Sequence, residues 1–217
     1  MEWPAFWVSL RLALWTVVLL LPAAVAIARA LAWHRFPGRF VLEALIALPL
    51  VLPPSVLGFY FLVAFDPQAP LGDWLRRWTG TTLVFSFPGL VAASLIYSLP
   101  FAVQPLLRAF EAIPVSVREA AWCCGLSGWR TFWRIELPLV RNGLLAATAL
   151  TFAHTLGEFG VVLMVGGNIP GRTRTLAVAI YDRVQAFDET GAATMAAVLL
   201  GFSLVVVIAV HALERRR

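Results

Sequence analysis

Lysine is missing from this chain: all 17 basic residues are arginine. A phosphate loop of the Walker type needs a lysine after its glycines, so the chain has no ATP-hydrolysing site of its own. Cysteine is nearly missing too. Cys123 and Cys124 are neighbours, which gives neither a useful structural disulfide nor a metal-ligand spacing; both read as small apolar fillers in a reducing compartment. The three histidines, His34, His154 and His211, fall in different regions and make no metal site. With no cluster of nucleophile and base, no catalytic residue and no metal are expected. Charge is scarce: only 13% of residues carry one, where a soluble domain would have roughly a quarter. The net charge of +5 does not signal nucleic-acid binding, because the arginines lie mostly in loops between apolar runs.

Hydrophobicity is what remains, at 60% of the residues. Five runs are long enough to cross a bilayer, which takes about 20 apolar residues in a helix: 6–30, 41–65, 83–110, 139–165 and 192–213. The expected fold is all-α, a single polytopic membrane domain over 6–213 with five transmembrane helices in the lipid bilayer. Arg11 interrupts the first run, Pro49, Pro53 and Pro54 the second, and Pro88, Pro100 and Pro105 the third. Internal prolines free backbone groups that neighbouring helices or water must meet, which suggests bent helices around a cavity. No signal peptide is expected, since Glu2 replaces a basic start and the first apolar run is too long.

The arginines set the orientation. Eleven lie on one side: Arg29, Arg35 and Arg39, then Arg108, Arg118, Arg130, Arg134 and Arg141, then Arg215, Arg216 and Arg217. Five lie on the other: Arg76, Arg77, Arg172, Arg174 and Arg183. The amino terminus is therefore expected outside and the carboxy terminus in the cytoplasm. Among the outer loops, 72–78 reads as a short amphipathic helix with Trp74 and Trp78 at headgroup level. The apolar segment 175–187 is too short to cross and reads as interfacial or re-entrant.

The loop 114–138 carries Arg118, Arg130 and Arg134 with apolar flanks on both sides, and it reads as two short helices around a hinge. Pro114 suits a first helical position. Gly125 can take the left-handed conformation that closes a helix, and Ser127 can cap the next one, whose Trp129, Phe132, Trp133 and Glu136 are expected on one face. In the fourth run, Ala146, Ala149, Ala153, Gly157 and Gly160 form a small-residue stripe suited to close helix packing. Thr148, Thr151, His154, Thr155 and Glu158 cluster on nearly the opposite face, where they either line a wet path or make polar contacts between helices. His154 and Glu158, four residues apart, can pair with each other. Arg11 is expected to snorkel to the interface rather than pair with Glu158. Ala193, Ala197 and Gly201 form a packing face in the fifth run, at a subunit interface or an internal contact.

Glu119-Ala120-Ala121, Gly125 and Ile135-x-Leu137-Pro138, with three and nine residues between them, fill every fixed position of a known pattern. The loop resembles the EAA loop of ABC-importer permeases. His154-Thr155-Leu156-Gly157-Glu158-Phe159-Gly160, Gly167-Asn168-Ile169-Pro170-Gly171-x-Thr173-Arg174-Thr175 and Pro49-Leu50-Val51-Leu52-Pro53-Pro54 narrow the resemblance to the molybdate-importer permeases, with sulfate and tungstate permeases as close relatives. The resemblance covers nearly the whole chain. It implies the type I ABC importer permease fold in a five-helix form and a homodimer of permeases. It also implies ATPase subunits docked on the loop, with ATP and magnesium bound there and no cofactor in this chain, and an extracytoplasmic binding protein that delivers the oxyanion. Asn168, Arg172 and Arg174 would then stand at the outer mouth of the pore. A self-sufficient secondary transporter is the competing reading. Against it stand the lack of an internal repeat of the halves and of membrane carboxylates beyond Glu43 and Glu158.

Overall fold

Proline and glycine positions explain most of the helix boundaries. The computed structural model describes residues 1–215, which are helical almost throughout, with no strand among them. Helix α1 (Trp3–Trp33) starts with Pro4 in its first turn and runs through Pro22. Gly38, at φ +89°, lets the chain turn into α2 (Arg39–Val51), and Pro54 opens α3 (Pro54–Phe65). The short α4 (Pro70–Thr79) follows, then α5 (Phe87–Tyr97) and α6 (Leu99–Glu111). Pro88 and Pro100 sit in the first turns of α5 and α6, where a missing N–H costs nothing.

Three helical stretches are long and apolar enough to cross a membrane: 3–33, 87–111 and 189–210, the last within α13 (Glu189–Arg215). The other two expected spans are broken. Residues before a proline are pushed out of the helical region, and at Leu52 and Pro53 the chain turns extended, so α2 and α3 meet at a bend of 111°. The fourth run divides into α10 (Arg141–Leu156) and α11 (Gly160–Gly166), bent by 60° around Gly157, Glu158 and Phe159. Each bent pair counts as one span if five are counted.

Helix α1 is the axis of the bundle. Its Leu20, Ala24, Ala28 and Leu31 recur at the spacing of one helix face and pack on Val103, Leu106 and Phe110 of α6 and Ala147 of α10. A second cluster joins Leu57 and Phe61 of α3 to Ala93 of α5 and to Val161 and Val165 of α11. Gly58 and Gly160 make that approach possible, since a Cβ on either would fall 2.7 Å from Met164 or Pro54. The segment 175–187 forms α12 (Leu176–Gln185), which buries Leu176 and Ala179 against Ala5 of α1 and Met195 of α13. The rest of α13 is apolar yet largely uncovered, with Leu200 71% and Val205 65% exposed. A helix with that surface belongs against lipid or another chain. Ala193, Ala197 and Gly201 lie on this uncovered surface, so their stripe is no internal contact.

Charged contacts gather near the two ends of α1. Glu2, Arg174 and Arg183 meet at one end, while Arg29, Arg118 and Glu136 meet at the other, where Arg39 also reaches Glu111. Arg216 and Arg217 lie outside the described residues.

Candidate functional site

Residues 114–138 fold as two short helices joined by a hinge. Pro114 is the residue before α7 (Val115–Cys123), not its first helical residue, with extended ψ of 138°. Gly125 takes φ +79°, and Leu126 N–H donates to the Ala121 carbonyl, a Schellman closure. Ser127 caps α8 (Gly128–Thr131) by accepting from Arg130 N–H. The next residues, Phe132–Glu136, wind as a π-helical turn before the short α9 (Leu137–Leu139). That wider turn divides the face expected from α-helical spacing. Trp129 and Trp133 remain 70% and 51% exposed, Phe132 is half-buried, and Glu136 is fully buried.

Glu136 fastens the whole loop to α1. Its carboxylate accepts from Arg29 Nε and Nη2 and, at 2.9 Å, from Arg118 Nε. The Arg118 guanidinium lies 4.2 Å from the ring centre of Trp33 and 5.0 Å from that of Trp122, while Arg29 lies over Phe132. Two cations on one carboxylate leave a net positive group, and the aromatic faces add to its stabilisation. Sequence reasoning missed Glu136, Arg29 and Arg118 as a unit. A glutamate inside an apolar stretch was the available signal, but one of its two partners lies 107 residues away.

Around this anchor the pattern residues divide. Glu119, Ala120 and Pro138 are exposed, Ile135 and Leu137 are half-buried, and Ala121 faces inward. Cys123 and Cys124 are exposed free thiols, not apolar fillers, because the end of α7 projects away from the bundle. Val115, Trp122, Trp129 and Trp133 add large apolar side chains to this surface. A loop end that keeps its backbone rigid while presenting aromatic side chains suits a protein partner.

The second cluster surrounds the break between α10 and α11. Thr151, Thr155 and Glu158 are buried between helices. Ser94 Oγ of α5 donates to Glu158 Oε2 at 2.8 Å, while Glu158 Oε1 and Thr151 Oγ1 have no partner among the described residues. Ser98 Oγ lies 3.0 Å from both His154 Nδ1 and Thr155 Oγ1. His154 is half-buried and stacked on Phe101 at 3.9 Å. Thr148 Oγ1 donates to the Leu144 carbonyl of its own helix. His154 and Glu158 do not pair, since the helix ends at Leu156 and each side chain meets a different serine. The expected small-residue stripe holds in part: Ala149 is buried and Gly160 packs on Pro54, while Ala146 and Ala153 are half-buried and Gly157 is exposed; Thr151, Thr155 and Glu158 are buried as contacts between helices. Gly143, whose Cβ would fall 2.5 Å from Ala109, marks the true close approach of α10 to α6.

At the opposite end, Arg174 Nε donates to Asn168 Oδ1 at 2.6 Å, and Arg174 also meets Glu2 and Asp182. Arg174 is thus already neutralised. Arg172 is exposed and lines a cavity with Arg11, whose guanidinium lies 5.0 Å above the Phe87 ring. Arg11 therefore reaches the surface, as expected, and leaves Glu158 alone. Among the described residues no group of His, Cys, Asp and Glu is arranged to hold a metal ion.

An all-helical membrane bundle with an aromatic loop anchored at one end is the architecture of a transport-system membrane subunit. The chain belongs to the binding-protein-dependent transport system inner membrane components, whose sequence pattern matches residues 20–217. It is therefore an inner-membrane permease. It is 49% identical over 208 residues to the molybdenum transport system permease protein ModB of Azotobacter vinelandii, covering 95% of this chain and 92% of that one. The ModB protein of Escherichia coli K12 is 37% identical over 205 residues, covering 94% and 90%. The sulfate transport system permease protein CysT of the same strain is 33% identical over 183 residues, covering 84% and 66%. In fold, the chain matches a bacterial alginate ABC transporter solved with an alginate-bound periplasmic protein. The TM-score is 0.80 at 17% identity, covering 98% of this chain and 78% of that one.

Proposed function

We propose that the chain is the transmembrane subunit of an ATP-driven importer that carries molybdate across the inner membrane, acting as a homodimer. The observation that carries this reading is its similarity, along nearly its whole length, to permeases named for molybdenum transport. In this reading ATP and magnesium are bound by partner ATPase subunits, which dock on the surface made by Glu119, Trp122, Trp129 and Trp133. The Glu136 clamp then transmits movement of the loop to α1. The amino terminus lies outside and the loop in the cytoplasm, supported by the arginine distribution and by the sorting of charged clusters to two ends.

An extracytoplasmic binding protein selects the oxyanion and the permease admits it. Passage requires weak and transient contacts, which fits hydroxyl and imidazole groups better than a tight cage. Thr148 and His154, the two partly exposed members of the polar cluster, are the best pore candidates. Thr151, Thr155 and Glu158 support them from behind, and Asn168, Arg172 and Arg174 shape the outer mouth. Sulfate is the second reading, favoured by the sulfate permease among the relatives; tungstate should compete with molybdate under the first.

Uptake into vesicles containing permease, ATPase and binding protein decides between these. Molybdate uptake that sulfate does not inhibit is expected, and sulfate uptake that excess molybdate leaves intact removes the molybdate assignment. Gly125→Val tests the coupling role. Nothing lies within 4 Å of a Cβ there, so the change acts through backbone strain alone, at about 1–3 kcal/mol. Assembly with the ATPase or substrate-stimulated ATP hydrolysis should be lost, and normal stimulation would remove the docking role. For orientation, Pro170→Cys should react with an impermeant thiol reagent in intact cells while Cys123 and Cys124 do not.

A further inference from the structure

The amino-terminal end carries six arginines, and four of them are committed. Arg76 and Arg77 pair with Asp73, Arg174 with Glu2 and Asp182, and Arg183 with Glu2 and Asp188. Arg11 and Arg172 are in no ion pair among the described residues, and both line the same cavity, of about 880 Å³. The two come from places 161 positions apart in sequence, one inside the first span and one in the loop before α12. No carboxylate lines this cavity.

Three further features make the cavity suited to an anion. The face of Phe87 holds the Arg11 guanidinium at 5.0 Å, which fixes the cation without neutralising it. The amino-terminal end of α5, capped by Ser86, opens on the same space and adds the positive end of the helix dipole. Thr82 brings a hydroxyl to the wall, while the Ser86 hydroxyl is committed to the Leu83 carbonyl and to Gly89 N–H. The wall is also held in an uncommon conformation: Phe85 takes φ +57° and donates its N–H to the Val165 carbonyl at 2.8 Å, tying the cavity to α11. A non-glycine residue there costs on the order of 1–3 kcal/mol.

We propose that this cavity is a binding site for a tetrahedral oxyanion, with Arg11 and Arg172 as its charged ligands. The chemistry required is a compact dianion or phosphate monoanion that accepts hydrogen bonds from guanidinium groups. The space equals about thirty water volumes, so the anion keeps part of its hydration and exchanges quickly. Two sources supply such a group: a free oxyanion arriving from solution, or the phosphate of a phospholipid headgroup, since Arg11 rises from a membrane-crossing helix. The first source rests on the importer reading, for which the site would be a waiting position outside the pore; the second does not.

The test uses the purified full chain in maltoside micelles, without binding protein, at low ionic strength. Radiolabelled molybdate binding is measured by equilibrium dialysis, and retained phospholipid is counted by native mass spectrometry. Arg11→Gln/Arg172→Gln should weaken molybdate binding at least tenfold or lose the retained phospholipid, and which of the two falls identifies the source. Arg11→Lys/Arg172→Lys should keep most of the binding, showing that the fold tolerates change here. Arg77→Gln, whose partner is Asp73, should change neither readout. If wild type and the Gln pair bind both ligands equally, or wild type binds neither, the site is overturned. Vesicle uptake of the wild-type assembly tests the importer reading separately: oxyanion binding here without molybdate uptake would leave this site standing and remove that reading.

Discussion

At the loop end, one carboxylate with no exposed surface, Glu136, accepts from two arginines that are 26% and 14% exposed. At the amino-terminal end, Glu2, Asp182 and Asp188 share Arg174 and Arg183 in a chain of contacts that all remain 23% to 42% exposed. Both arrangements join the end of α1 to a distant segment. Burial makes the first one all-or-none, because losing the carboxylate leaves two cations with no counter-charge in a poorly solvated place. Exposure makes the second one gradual, since water and salt substitute for any lost partner. The loop end is therefore fastened to α1 by contacts that are lost together, which suits the coupling role proposed for it. The amino-terminal end can rearrange its ion pairs at little cost.

The sharpest way to break this contrast is Glu136→Gln. It keeps the shape and removes the charge, and should destabilise the chain by about 3 kcal/mol, the lower end of the range for a broken buried pair because both arginines keep some contact with water. Thermal unfolding of the purified chain gives the value, and added salt should not restore it. A loss below about 1 kcal/mol would place Glu136 with ordinary surface pairs and remove the clamp.

Ser94→Ala addresses an intermediate case. Glu158 is buried nearly as fully as Glu136, yet among the described residues it has one hydrogen bond and no cation. Removing the Ser94 hydroxyl leaves both oxygens unpartnered, with an expected cost of about 1–3 kcal/mol. Glu158→Gln should be milder, because its amide oxygen still accepts from Ser94. If Glu158→Gln instead costs more than Ser94→Ala, the carboxyl of Glu158 has a partner outside the single chain, and the second subunit of the proposed homodimer is where to look.

Much of this was legible in the sequence. Apolar runs gave the helices, the arginines sorted the ends, and Gly125 and Ser127 set the hinge through local backbone chemistry that needs no distant partner. Three things were hidden. Breaks inside runs depend on how two prolines or a Gly-Glu-Phe step are used, and the same residues also occur in continuous membrane helices. The faces of α10 follow from volume as well as pattern: Gly143 lets α6 approach, and Thr151 and Thr155 turn inward, where Ser98 meets Thr155 while Thr151 Oγ1 has no partner among the described residues. The Glu136 clamp and the Arg11–Arg172 cavity join residues more than a hundred positions apart, and no local pattern announces them. The π-helical turn at Phe132–Glu136 belongs to the same class, since it exists to aim Glu136 at Arg29.

At the amino-terminal end the expected effects are small. Glu2→Gln removes one carboxylate shared by Arg174 and Arg183 and should cost less than about 1 kcal/mol. The loss should shrink further in high salt, where the corresponding loss at Glu136 does not; equal salt dependence at the two ends would abolish the distinction drawn between them.

The smallest effect is also the one that reads out through pH. Asp188 precedes α13 and accepts from Gly191 N–H at 2.9 Å and from Arg183 at 2.8 Å. These contacts, the backbone N–H first and the guanidinium second, hold its carboxyl below the usual carboxylate range. The native state thus takes up this proton less readily than the unfolded chain. Its stabilisation is complete above the ordinary carboxylate value, about 3.9, and is lost as pH falls through the lowered one. Asp188→Asn isolates the charge, because asparagine caps a helix about as well as aspartate and its amide oxygen still accepts from Gly191. Wild type should melt slightly above Asp188→Asn at pH 7, by the same margin down to about pH 5, and the two should converge in stronger acid. A difference that persists in acid, or grows there, would mean that the residue acts through its hydrogen bond alone and that charge at this end of the molecule contributes nothing to holding α13.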